Sequence, residues 1–127
     1  MAYKKILVVD DEEDFLMMLE KRLMEEGFEV ITATEGQEAI KKCKRYLPDL
    51  VLMDIILPDF DGSEVVKILL KDPSTRDIPV IFLSGIVTPG ADNASPEVNI
   101  GGRTFQALGK PFPVEDLLNL LEGCITD

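Results

Sequence analysis

KKILVVDDEED, residues 4–14, is the segment from which the architecture of this chain is most readily inferred. Two lysines lead into a continuous apolar run, Ile6 to Val9, which stops abruptly at a cluster of carboxylates. A short uninterrupted apolar run is typical of a strand that is covered on both faces, as in a parallel sheet flanked by helices. Because this run is only four residues long, it is neither a signal peptide nor a membrane span.

The rest of the chain alternates short β-type runs with amphipathic helical stretches. The predicted strands are residues 6–9, 28–33, 50–53, 79–83 and 105–108, and the predicted helices are residues 14–26, 37–47, 63–71 and 114–124. This alternation predicts an α/β fold with a five-stranded parallel sheet and helices on both faces. Between Ser84 and Phe105 a helix is expected, but breaker residues such as Gly101 and Gly102 predict a long irregular loop instead.

Length, charge and cysteine content narrow the class of protein. A chain of 127 residues has room for one domain, and 46% hydrophobic residues can bury a core. The net charge of −11 opposes binding to nucleic acid or to an anionic membrane. Cys43 and Cys124 lie in helical apolar stripes, which is typical of free thiols in a reducing compartment. We therefore expect residues 1–127 to form a single cytoplasmic domain.

Polar residues that could form a site follow four of the five predicted strands. Asp10 and Asp11 follow the first strand, Asp54 the third, Ser84 the fourth and Lys110 the fifth. In an open parallel sheet, ligands bind at the carboxyl ends of the strands, near the point where the strand order reverses. The sequence therefore predicts that these five polar groups meet at one edge of the sheet.

The residue types at this edge indicate phosphoryl chemistry. Three neighbouring carboxylates stay ionised together only if a cation lies among them, and an oxygen-only ligand set suits Mg²⁺. A lysine and a hydroxyl can hold the remaining oxygens of a phosphoryl group. The chain contains no histidine, which excludes histidine acid–base catalysis and histidine metal ligands. The nucleophile that remains is a carboxylate, with Asp54 the leading candidate for forming an aspartyl phosphate.

These motifs, in this order and at this spacing, resemble the receiver domain of bacterial two-component response regulators. The matching residues are Asp10-Asp11, Asp54, Ser84-Gly85 and Lys110-Pro111-Phe112. The resemblance covers nearly the whole chain, from about Lys4 to Cys124. It implies the flavodoxin-like receiver fold, with strand order 2-1-3-4-5 and helices on both faces.

The resemblance also implies a role for each matching residue. Asp54 would accept a phosphoryl group from a sensor histidine kinase or a histidine phosphotransfer protein, while Ser84 and Lys110 would bind the phosphoryl oxygens. The implied Mg²⁺ ligands are Asp10, Asp11, Asp54 and the backbone carbonyl of Ile56. Such a domain is a phosphoprotein of signal transduction, not an enzyme, although intrinsic self-phosphorylation and autodephosphorylation belong to its chemistry. Its change of conformation would signal to a downstream protein or effector domain that the sequence does not identify.

Two features depart from the family pattern. Receivers usually carry Tyr or Phe three residues before the lysine, and here Ala107 occupies that place. Phe105, two residues earlier on the same strand face, is a candidate substitute that the sequence leaves open. The fourth helix of the family coincides with the breaker-rich stretch 86–104, which predicts an irregular or shortened helix there.

Two rival functions follow from the same residues. A degenerate receiver would be a protein-interaction module that works without phosphorylation, as the two departures indicate, although the intact acidic trio argues against it. A Mg²⁺-dependent phosphatase with an aspartyl nucleophile would need a second aspartate two residues after Asp54, where this chain has Ile56. Dinucleotide binding and P-loop chemistry are excluded because the chain lacks both glycine-rich motifs.

Overall fold

The computed structural model describes residues 4–84, 97–109 and 113–124. Within these ranges the chain forms six strands and four helices. In chain order the elements are β1 (Lys5–Val9), α1 (Glu13–Glu25), β2 (Glu29–Ala33), α2 (Gly36–Tyr46), β3 (Leu50–Asp54), α3 (Gly62–Lys71), β4 (Val80–Ser84), β5 (Glu97–Ile100), β6 (Arg103–Gly109) and α4 (Val114–Cys124). The predicted strands and helices therefore all exist, with ends that differ by at most two residues.

The strands form one mostly parallel sheet in the order β2-β1-β3-β4-β6-β5. Strands β2, β1, β3, β4 and β6 run parallel to one another, and β5, at the edge beside β6, runs antiparallel. Because β6 is the strand predicted as the fifth, its place beside β4 agrees with the predicted order 2-1-3-4-5. The predicted α/β receiver architecture is confirmed.

The predicted number of five strands, all parallel, is wrong, because residues 97–100 add an antiparallel strand at the edge of the sheet. This strand forms a hairpin with β6 through a two-residue turn at Gly101 and Gly102, where φ is +58° and +84°. Such tight hairpin turns require positive φ at both central residues, which glycine adopts without steric cost. The glycines therefore close a hairpin instead of marking an irregular loop. The rest of that predicted loop, with the expected fourth helix, lies in residues 85–96, outside the described ranges.

The sheet is buried on both faces. Helices α2 and α3 cover one face, where Val65 and Val66 pack with Leu7 and Met53. Helices α1 and α4 cover the other face, where their buried leucines pack with the alternate residues of the central strands. Strands β1 and β3 consequently show no alternation of apolar and polar residues, because the side chains on both faces of the sheet are apolar and buried.

Cys43 lies fully buried in α2, and burial raises the pKa of its thiol to about 12. The thiol is therefore protonated at neutral pH and packs as a small apolar group, as its place in a helical stripe predicts. None of the helices in the described ranges has the length and apolar character needed to cross a bilayer.

Candidate functional site

Three carboxylates meet at the carboxyl edge of the sheet. One oxygen from each of Asp10, Asp11 and Asp54 lies within 4.8 Å of the others. This proximity follows from the topology, because β1 and β3 are parallel neighbours and Val9 pairs with Met53 in their register. Both strands end at the same level, so the residues that follow β1 lie beside the last residue of β3.

The three carboxylates differ in their surroundings. Asp10 is completely buried and Asp54 is only 7% exposed, whereas Asp11 is open to solvent. The backbone N–H of Glu12 donates a hydrogen bond to Oδ1 of Asp10 at 2.9 Å, and the N–H of Ile56 donates to Oδ1 of Asp54 at 3.4 Å. These backbone contacts help to hold the two buried carboxylates in place.

The ends of β4 and β6 lie beside this carboxylate group. In the register of β3 and β4, Asp54 pairs with Leu83, so Ser84 is the next residue along the adjacent strand. Ser84 in turn pairs with Gly109, the last residue of β6. The backbone thus places Ser84 at the predicted edge, while its side chain and the whole of Lys110 lie outside what the structure describes.

The loop that follows Asp54 folds back on itself before α3 begins. Ile56 forms a bridge with Asp61, and the N–H of Gly62 donates to the carbonyl oxygen of Ile55 at 2.6 Å. Asp61 and Glu64 then cap α3 reciprocally, each side chain accepting a hydrogen bond from the other residue's backbone N–H. The side chain of Ile56 is 57% exposed, in contrast to the buried acid two residues earlier.

The donor set of this site fits a hard divalent cation. Its three carboxylates offer only oxygen atoms, and two of the three are almost completely buried. A bound cation would offset the electrostatic repulsion between carboxylates at this distance. Magnesium prefers a few carboxylates together with water and phosphate oxygens, which an edge that is partly open to solvent can supply.

One contact near the site involves a residue that the sequence analysis did not single out. The carboxylate of Asp59 accepts hydrogen bonds from the backbone N–H groups of Gly36 and Gln37, at the start of α2. Burial opposes the charge, but these backbone N–H groups outweigh it and hold the pKa of Asp59 below its ordinary value of 3.8. A signal did exist in the sequence, because Glu35 is a poor N-cap residue and leaves α2 without a local cap.

A mostly parallel α/β sheet with an acidic trio at the carboxyl ends of the neighbouring strands β1 and β3 is the arrangement of a receiver-type signalling domain. The family model described as the response regulator receiver domain matches residues 6–122. The chain therefore belongs to the response regulator receiver family.

Solved structures agree with this assignment over nearly the whole chain. The chemotaxis protein CheY4 of Vibrio cholerae is 29% identical, with a TM-score of 0.81 over 98% of this chain and 100% of that one. The receiver domain of the sensor histidine kinase PA1611 of Pseudomonas aeruginosa is 25% identical, with a TM-score of 0.82 over 99% of this chain and 100% of its own length. That structure has a magnesium ion coordinated in its active-site cleft.

Similar curated proteins are longer regulators. The alkaline phosphatase synthesis transcriptional regulatory protein PhoP of Bacillus subtilis is 52% identical over 81 residues, which cover 64% of this chain and 33% of that protein. The response regulator PleD of Caulobacter vibrioides is 43% identical over 82 residues, which cover 65% of this chain and 18% of that protein. The matched segment thus spans a third or less of these relatives.

Proposed function

We propose that this chain accepts a phosphoryl group on Asp54 in a Mg²⁺-dependent reaction and so acts as the phospho-accepting domain of a two-component response regulator. The observation that carries the proposal is the trio of carboxylates within 4.8 Å at the carboxyl edge of the sheet. The family match over residues 6–122 supports it, as does the magnesium ion in the PA1611 receiver domain.

Four groups of this chain would hold the metal ion. They are the carboxylates of Asp10, Asp11 and Asp54 and the backbone carbonyl of Ile56. When bound, Mg²⁺ neutralises the charge on the oxygens of the phosphoryl group during transfer. The nearly buried position of Asp54 keeps bulk water away from its carboxylate, so its charge interacts more strongly with a cation than it would in solvent.

Asp54 would act as the nucleophile. One of its carboxylate oxygens forms a bond to the phosphorus of a phosphohistidine, the bond from phosphorus to the imidazole nitrogen breaks, and the imidazole leaves with a proton taken from solvent. The product is an acyl phosphate on Asp54 and a free histidine on the donor. Ser84, the last residue of β4, and Lys110, which follows β6, would bind phosphoryl oxygens, which favours transfer through positioning and charge neutralisation.

The phosphoryl donor would be a sensor histidine kinase or a histidine phosphotransfer protein in the cytoplasm. Phosphorylation adds negative charge beside Asp10 and Asp11, and this local change would shift the balance between two conformations of the domain. Residues 1–127 would act as one receiver unit that signals to a downstream protein or effector domain, in keeping with the regulators PhoP and PleD.

A second candidate function is a receiver that binds partners without being phosphorylated. It is favoured by Ala107, which is fully buried opposite Phe82 at the position where receivers usually carry a switching aromatic residue. The antiparallel strand β5 also occupies part of the stretch in which the family's fourth helix was expected. Neither feature removes a carboxylate, so we rank this function below phosphorylation.

A phosphatase with an aspartyl nucleophile is a weaker alternative. Such an enzyme needs an acid–base group two residues after the nucleophile, and the side chain of Ile56 has no group that transfers a proton. Turnover of a phosphate monoester above the background of an Asp54→Asn variant would support this alternative.

Intact-mass spectrometry after incubation with acetyl phosphate tests the proposal. Phosphoryl transfer from this donor breaks the bond between its acyl oxygen and phosphorus and releases acetate. Samples without Mg²⁺ and samples of Asp54→Asn test the metal and the acceptor. Asp77→Asn is a matched control, because Asp77 is an exposed aspartate that precedes β4, at the opposite edge of the sheet.

We expect a gain of one phosphoryl group in the wild type and in Asp77→Asn, and no gain in Asp54→Asn or without Mg²⁺. An unmodified wild type, after trials with several histidine-kinase donors and rapid mass analysis of the labile adduct, would contradict the proposal. That result would favour the phosphorylation-independent module instead.

A further inference from the structure

Helix α2 is capped by a residue from a distant loop. Its N-cap residue, Glu35, makes no side-chain capping hydrogen bond. Instead, Oδ1 of Asp59 accepts a hydrogen bond from the N–H of Gly36 at 2.7 Å, and Oδ2 accepts one from the N–H of Gln37 at 2.9 Å. The first N–H groups of a helix have no acceptor within the helix. The two oxygens of the Asp59 carboxylate therefore serve as the acceptors that α2 itself lacks.

The same loop also packs tightly against the start of α2. A Cβ placed on Gly36 would lie 2.8 Å from Cδ2 of Phe60 and 2.9 Å from Cγ2 of Val65. A larger residue at position 36 would therefore have to displace the side chains of Phe60 and Val65. The loop after Asp54 is thus held to α2 by the hydrogen bonds that Asp59 accepts from α2 and by close packing of the neighbouring residue, Phe60.

The junction between β2 and α2 also contacts Asp10, a member of the carboxylate trio. The backbone N–H of Asp10 donates a hydrogen bond to the carbonyl oxygen of Ala33, the last residue of β2, at 3.0 Å. Only Thr34 and Glu35 separate Ala33 from α2. This short junction therefore has hydrogen bonds in two directions. One joins it to Asp10, and those accepted by Asp59 join it to the loop that follows Asp54.

We propose that Asp59 is a positioning residue for the metal site, which fixes the loop carrying the Ile56 carbonyl relative to Asp10 and Asp11. The inference rests on the proposed function, since Ile56 matters only if this edge binds Mg²⁺. Asp59 itself lies outside the carboxylate trio and acts through the backbone. An ionised carboxylate suits this task because it has two acceptor oxygens, whereas an amide has one.

The Asp59→Asn substitution tests the hydrogen bonds between Asp59 and the start of α2 with little change in the shape of the side chain. The control variant Asp77→Asn has the same loss of charge at the opposite edge of the sheet. In metal-free protein, we expect faster hydrogen exchange at the Gly36 and Gln37 amides in Asp59→Asn. We expect its dissociation constant for Mg²⁺, measured by calorimetry, to rise about tenfold, at the lower end of the effect of supporting contacts on metal affinity. Asp77→Asn should match the wild type in both measurements.

A double variant separates positioning of the loop from mere stabilisation of α2. Glu35→Ser supplies a good local N-cap, so adding it to Asp59→Asn restores stability to the helix without reconnecting the loop. We expect the double variant to regain its melting temperature but to keep the weak Mg²⁺ binding. Recovery of the wild-type dissociation constant in the double variant would overturn the inference, because the effect of Asp59 would then be confined to helix capping.

The outcomes also distinguish this inference from the proposed function. Weaker Mg²⁺ binding in Asp59→Asn supports positioning even if the wild type fails to accept a phosphoryl group. Equal Mg²⁺ binding in Asp59→Asn and the wild type overturns positioning even if Asp54 is phosphorylated. A wild type that does not bind Mg²⁺ at all contradicts both.

Discussion

Gly62 lies directly against the backbone carbonyl oxygen of Asp54. A Cβ at position 62 would overlap this oxygen and would lie 3.0 Å from Cγ of Met53. Helix α3 therefore begins in contact with the end of the strand that carries the proposed phosphoryl acceptor. The intervening loop is closed by the hydrogen bond between the N–H of Gly62 and the carbonyl of Ile55.

Gly62→Ala should displace this strand end or the loop. We expect the free energy of unfolding to fall by about 1–3 kcal/mol, as for other insertions of a methyl group into tightly packed sites. The rate of phosphorylation of Asp54 by acetyl phosphate should fall by about tenfold or more, because small misplacements of reacting groups are costly. Urea unfolding and a time course of intact mass measure the two effects.

Gly27→Ala is the matched control for this variant. Gly27 has φ of +95°, and apart from its chain neighbours no atom of the described residues lies within 4 Å of a Cβ built there, so the substitution strains the backbone after α1 without touching the site. It should cost about 1–2 kcal/mol of stability and leave the rate of phosphorylation unchanged. A wild-type rate in Gly62→Ala would show that the acceptor does not depend on the close approach of α3.

Phe105 should be a core residue that anchors the hairpin. Its ring meets the ring of Phe82 edge-on, with centroids 5.9 Å apart and an angle of 88°, and the guanidinium of Arg103 lies 5.2 Å from its centroid. We expect Phe105→Ala to lower the free energy of unfolding by about 3–5 kcal/mol, and Phe105→Leu to cost less than half as much. Denaturant unfolding measures both.

Gln106→Ala serves as the control for Phe105, since Gln106 is the exposed neighbour on the same strand. Its effect should stay within about 0.5 kcal/mol, as for most surface substitutions. Equal effects of Phe105→Ala and Gln106→Ala would mean that the ring is not packed against Phe82, and Phe105 would again be a candidate for a mobile aromatic residue.

The parallel architecture and the carboxylate trio were predictable because both follow from where apolar runs stop. Buried strands read as continuous apolar stretches, and the first polar residues after Val9 and Met53 fall at the same edge once the strands are parallel. The carboxylates of Asp10 and Asp54 therefore come together through topology alone.

The β5–β6 hairpin and the hydrogen bonds between Asp59 and α2 could not be predicted in the same way. Gly101 and Gly102 break helices and also close tight hairpins, and only the pairing partner decides between these outcomes. Asp59 reaches a helix that begins 23 residues earlier in the chain, so no local pattern records the contact. Its only trace in the sequence is the lack of a good N-cap before α2.

Glu38 should make stability depend on pH. The backbone N–H of Thr34 donates to its carboxylate at 2.9 Å, and Nζ of Lys42 lies 3.0 Å away. The bond from Thr34, followed by the contacts with Lys42, outweighs burial and lowers the pKa of Glu38 below its ordinary value of 4.5. The unfolded chain binds the proton more readily, so this stabilisation is present above pH 4.5 and is lost as the pH falls through the lower folded value.

We therefore expect Glu38→Gln to cost about 0.5 kcal/mol at neutral pH, as for an exposed helical pair, and to cost nothing well below the ordinary pKa of Glu38. Urea unfolding at the two pH values checks this difference. The control is Glu25→Gln, the same change at an exposed position of α1. A cost for Glu38→Gln that is the same at both pH values would contradict the assignment of the effect to its ionised carboxylate.

Chemical trapping identifies directly which residue carries the phosphoryl group. Borohydride reduces an aspartyl phosphate to homoserine, so peptide mapping after treatment with acetyl phosphate, Mg²⁺ and borohydride identifies the acceptor. We predict homoserine at position 54 only, and none when Mg²⁺ is left out. Homoserine at another aspartate, or at position 54 irrespective of Mg²⁺, would contradict the account of Asp54 as a metal-dependent phosphoryl acceptor.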